Sequence, residues 1–82
     1  MILPPRVTNI EDGAFENCVI LTILTIHNHL KYIGDSVFLG CDNLQEVNYT
    51  GSDFEWNNII ISSDGNYMLE NVSITHNYSA SK

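Results

Sequence analysis

Hydrophobic positions along this chain return every 23 residues. Ile10-Glu-Asp-Gly-Ala-Phe15-Glu-Asn-Cys18 is answered by Ile33-Gly-Asp-Ser-Val-Phe38-Leu-Gly-Cys41. Val7 aligns with Leu30, Leu21 with Leu44, Leu24 with Val47, Ile26 with Tyr49, and Leu3 with Ile26. A fixed period in the low twenties, with apolar residues and a cysteine in phase, predicts a solenoid whose coils stack and bury one another's faces.

Each repeat reads as a coil with two sides. Leu21-Thr-Ile-Leu24-Thr-Ile26 and Leu44-Gln-Glu-Val47-Asn-Tyr49 are predicted strands. Leu21, Leu24 and Ile26 point inward, and Thr22, Ile23, Thr25 and His27 face out, followed in the second coil by Glu46, Asn48 and Thr50. The return side carries Asp12 to Cys18 and Asp35 to Cys41, each too short for an α-helix. An Asp capping a single helical or 3₁₀ turn, then a buried aromatic and a buried thiol, is expected there.

The period decays after Tyr49. Counting on by 23 places Trp56 at the phase of Ile10 and Ile33. Ser62-Ser-Asp-Gly-Asn66 is a turn cluster, and the alternation of residues 71–76 predicts a last strand. Terminal repeats are usually atypical because they must close the core. We therefore expect one domain: two tandem repeats over residues 1–49, a C-terminal cap over residues 50–78, and a frayed tail at residues 79–82.

Size and charge narrow the function. Eighty-two residues is small for one core. Ten acids against Arg6, Lys31 and Lys82 leave a net charge of −7, so nucleic acid and anionic membrane surfaces are disfavoured partners. The longest apolar run, residues 18–26, is broken by Thr22 and Thr25, so membrane insertion is not expected. Met1-Ile-Leu-Pro4 already sits in repeat register, so no signal peptide is expected within this chain, which reads as a C-terminal fragment of a longer array. The first coil has no visible cover, and its edge is expected to pair with another molecule, including by self-association, or to be disordered.

The pattern Ile-x-Asp-x-Ala/Val-Phe-x-x-Cys-x-x-Leu-x-x-Leu/Val-x-Ile/Tyr, twice in tandem, resembles the BspA-type leucine-rich repeat. The ending Tyr49-Thr-Gly51, Glu55-Trp56-Asn57, Ile59, Leu69-Glu-Asn71 and Ile74-Thr-His76 is similar to the terminal segment of such arrays. Val37 replaces the usual Ala, and His27 stands where Pro commonly follows the strand. The resemblance implies a leucine-rich repeat solenoid, α/β or mainly β, with right-handed coils. It also implies a short parallel sheet on one face, and turns, 3₁₀ or single-turn helices on the other. It further implies an extracellular or cell-surface location and a role in protein recognition or adhesion to host or neighbouring cells.

No chemistry competes with that expectation. Cys18 and Cys41 share one phase, so their Cα–Cβ vectors run parallel, which suits a ladder of reduced thiols better than a disulfide. No cation shares their phase to lower a thiol pKa. His27 and His29 lie near one another but His76 is several rungs away, short of the three or four convergent ligands a metal needs. Glycines follow neither phosphate-loop spacing, and no serine sits in a Gly-x-Ser-x-Gly turn. Three Asn-x-Ser/Thr matches, at Asn48, Asn71 and Asn77, read as coincidence in a chain rich in those residues. We expect no catalytic, cofactor or metal site, and no enzyme. The candidate protein-binding face is Ile23, Thr25, His27, Glu46, Asn48 and Thr50. The alternative is a purely structural spacer or end-cap of a longer solenoid, with no ligand of its own.

Overall fold

A computed structural model describes residues 1–79; of the tail expected to fray, residues 80–82 lie outside the described residues. Six strands run through it: β1 Asn9–Ile10, β2 Ile23–Ile26, β3 Tyr32–Ile33, β4 Glu46–Tyr49, β5 Ile60–Ile61 and β6 Ser73–Thr75. They form two parallel three-stranded sheets, β2-β4-β6 and β1-β3-β5. The first is the predicted ladder. Leu24 pairs with Val47 and Thr25 with Asn48, the 23-residue spacing read from the pattern. The second sheet has only two residues per strand, too few for a period-2 pattern to announce it.

The core lies between the sheets, and Leu24, Ile33, Val37, Phe38, Cys41 and Val47 are wholly excluded from solvent. Phe15 stacks on Phe38 with ring centroids 6.0 Å apart and planes inclined by 14°. Cys41 lies below Cys18; both thiols are free, and the Cys41 Sγ donates to the Phe15 carbonyl at 3.0 Å.

On the return side, residues 12–17 and 35–40 form turns, not helices. The Asp caps expected there do different work. Asp12 accepts from the Asp35 backbone N–H in the next coil (2.8 Å), and Asp35 in turn accepts from the Ser62 hydroxyl. These carboxylates tie coil to coil. Backbone hydrogen bonds run beside them, from the N–H groups of Gly13, Phe15 and Asn17 to the carbonyls of Asp35, Val37 and Leu39. The same corner is left-handed in every coil, at Gly13 (φ 67°), Ser36 (φ 55°) and Gly65 (φ 75°). A Cβ on Gly65 would meet Ser36 Cα at 2.7 Å, so the last corner admits only glycine.

Trp56 does not occupy the phase of Ile10 and Ile33. Ile61 does, 28 residues beyond Ile33 where Ile33 is 23 beyond Ile10. The extra length is taken up by a short helix, α1 (Asp53–Asn57), which starts at a capping box: Ser52 Oγ accepts from the Glu55 N–H, and Glu55 accepts from the Ser52 N–H. Counting by a constant period carries no allowance for such an insertion. Trp56 packs edge-on against Tyr49 instead (5.2 Å, 68°). Ser52→Ala is expected to cost about 1 kcal/mol, measured as a lower urea midpoint with unchanged slope.

Candidate functional site

The β2-β4-β6 sheet carries its outward side chains in straight rows. One row is Ile23, Glu46 and Ser73; the other is Thr25, Asn48 and Thr75. Parallel pairing without a register slip produces these rows, because every strand shows the same alternate residues to solvent. The rungs are roughly 4.8 Å apart.

The expected residues are not equally available. Ile23 is 40% exposed and Glu46 is exposed, whereas Thr25 is only 5% exposed. Thr25 is shut in because the N-terminal segment adds a bridge beside it: Ile2 pairs with Thr25, and the Leu3 N–H donates to the Thr25 carbonyl at 3.0 Å. Asn48 is half-buried in mid-sheet. His27 and Thr50 lie just past the strand ends, both half-buried, and the Thr50 hydroxyl accepts from the Asn28 N–H at 3.0 Å. Thr50 therefore helps to shape the bend after the strand as well as lining the face.

Ser73 and Thr75, both exposed, form the third rung and were not among the expected residues. Their strand was legible from alternation, but its place in the ladder was not. Val47 and Ile74 are 27 residues apart, and the insertion at α1 hides the phase.

The remaining reactive groups do not converge on this face. Burial pushes the Cys41 thiol above its ordinary pKa, and burial with the nearby Glu55 carboxylate does the same for Tyr49. Both groups stay neutral and act as packing. His29 contacts the Pro5 carbonyl through Nδ1 at 3.0 Å. Among the described residues, no three His, Cys, Asp or Glu side chains come together as a metal-binding group would require. Among the same residues, no helix is long and apolar enough to cross a membrane.

The family model described as "BspA type Leucine rich repeat region (6 copies)" matches residues 1–81. No curated protein and no solved structure matches the chain. The match spans both sheets and the helical insertion alike, and with the stacked Phe15–Phe38 coils beneath it, the chain belongs to the BspA-type leucine-rich repeat family.

Proposed function

We propose that the chain is a non-enzymatic protein-recognition module whose ligand lies along the β2-β4-β6 face, as part of a secreted or surface-displayed adhesive protein. The observation that supports this reading is the pair of registered side-chain rows, Ile23-Glu46-Ser73 and Thr25-Asn48-Thr75. Solenoids use such rows to read extended partners. Three rungs at roughly 4.8 Å give a strip on the order of 15 Å long, well below the roughly 800 Å² per partner of a standard interface. Affinity from this segment alone is accordingly weak, and further coils or repeated copies would supply avidity.

The test is Asn48→Arg with Ser73→Arg, which places two bulky cations on adjacent rungs without touching the core. The pair is expected to abolish capture of proteins from a host-cell or neighbour-cell surface fraction while leaving the thermal midpoint in place. Unchanged capture would remove this face from consideration.

The end-cap reading has its own support. The last coil closes its return side internally, with a 3₁₀ turn at Tyr67–Glu70 whose Leu69 and Asn71 N–H groups donate within the segment. Residues 50–78 as cap predict that deleting residues 50–82 bares the core and leads to aggregation.

A further inference from the structure

At one place the inward ladder carries a hydroxyl that packing does not call for. Tyr49 is 1% exposed and stands in register with Ile26, which fills the same inward position one coil earlier with an aliphatic side chain. The Tyr49 ring packs on Trp56, but its hydroxyl has no hydrogen-bond partner among the described residues. Among those residues no side-chain polar atom is sealed from solvent without a partner, so this hydroxyl reaches open space. That space is a lateral cavity of about 140 Å³ between the bend after β2 and helix α1. Leu30, Tyr49 and Ile59 line it as buried residues, while exposed Lys31 comes to it from the bend and exposed Glu55 from the helix. Its lining lies wholly within residues 28–59, inside the array.

Lys31 and Glu55 share this cavity without forming an ion pair with each other among the described residues. Glu55 is held in position, since its Oε1 accepts from the Ser52 N–H at 2.9 Å. A Cβ on Gly51 would meet the Tyr49 ring at 2.7 Å and Glu55 Oε1 at 2.8 Å, so ring edge and carboxylate converge on one point. Buried apolar residues with a few convergent polar groups are the make-up of a small-ligand site. We infer that this lateral cavity binds a small α-amino acid as its zwitterion, with the ammonium on Glu55 and the carboxylate on Lys31 and the Tyr49 hydroxyl. Charge selects that ligand: a bare cation meets Lys31 and a bare anion meets Glu55, each repelled by its like. A peptide terminus or a lysine side chain brings only one of the two charges, so a free amino acid is preferred to a protein segment. Size agrees, because a cavity of roughly 150 Å³ holds a benzene ring, which is about the bulk of alanine. The site does not depend on the recognition face proposed above.

The test is an amide-resonance titration of the 82-residue chain with alanine, and with ethylamine and propionate as its one-ended analogues. Alanine should shift residues 28–31, 49–51 and 55–59 saturably, with a Kd on the order of 1 mM as suits so few atoms. Each analogue should bind at least about tenfold more weakly. Tyr49→Phe removes only the unpartnered hydroxyl and should weaken alanine binding about threefold or more, with the thermal midpoint unchanged. Lys31→Gln and Glu55→Gln should each weaken it about tenfold, the second keeping the acceptor of the capping box. No saturable shift well above that concentration would mean that the cavity holds water only, and the site falls. Analogues that bind as tightly as alanine would overturn the zwitterion, and binding that all three variants leave unchanged would overturn the assigned residues. A lower midpoint in Tyr49→Phe would give the hydroxyl a partner within the fold and remove it from the site.

Discussion

Asn66→Leu is expected to destabilise the chain by about 3 kcal/mol or more, enough to leave much of it unfolded in mild urea. Asn66 is 5% exposed, and its amide serves four backbone groups. Oδ1 accepts from the N–H groups of Val37 (3.0 Å) and Phe38 (3.3 Å), and Nδ2 donates to the carbonyls of Gly34 (2.7 Å) and Ser62 (2.8 Å). Between the first two coils, the Phe15 N–H meets the Val37 carbonyl directly, backbone to backbone. On the return side between the second and third coils, the Ser36 N–H donates to the Asp64 carbonyl, and the Asn66 side chain serves the next two N–H groups, those of Val37 and Phe38. Leucine has similar bulk but leaves these groups without partners, at about 1–3 kcal/mol for each that stays buried and unpaired. A chain this size has a total stability of roughly 4–12 kcal/mol at about 0.05–0.15 kcal/mol per residue. Equilibrium urea unfolding gives the magnitude, and hydrogen exchange at Val37 and Phe38 gives the location. A loss below about 1 kcal/mol, with both amides still protected, would mean that the last coil is not pinned through this residue.

Asn66 marks where legibility in the sequence stops. The stacking of the first two coils was readable because identical spacing repeats chemical type: Phe over Phe, Cys over Cys, Leu24 over Val47. The outward face followed from the same alternation. Three features escaped. The β1-β3-β5 sheet has two-residue strands, below the length at which alternation can be seen. The acids at Asp12 and Asp35 look like helix caps in one coil considered alone, and their partners lie in the next coil. The third coil is out of phase because α1 inserts there, so Ile61 and Ile74 replace the positions that constant counting assigns. Each miss has one cause: the deciding contact is long-range, and its partner is a backbone group or an irregular spacing that residue type does not encode. The availability of the candidate face was likewise hidden. Alternation sets Thr25 outward, but only the bridge from Ile2 closes it off.

The second large effect is expected at the stacked aromatics, and it should be unequal. Phe38 is wholly buried, with Phe15 on one side and the third coil on the other. Phe38→Ala removes a ring from a site held on both sides by hydrogen-bonded coils, which limits collapse into the space left behind. A cost of about 3–5 kcal/mol is expected. Phe15 has the same type and phase but is only half-buried, with a neighbour on one side. Its removal opens a notch to water instead of an enclosed void, so the transfer loss is partial and no full cavity forms. Phe15→Ala should therefore cost at least about 1 kcal/mol less than Phe38→Ala by urea unfolding. The difference tests the stacked arrangement itself, since two phenylalanines in matching motifs of independent units would lose the same amount. Equal costs would place both rings in equivalent surroundings, which a stack with Phe15 at its edge does not allow. The gradient should also appear in exchange: amides of residues 35–41 outlast those of residues 12–18 in the wild type, and Phe38→Ala collapses that difference by releasing the middle coil.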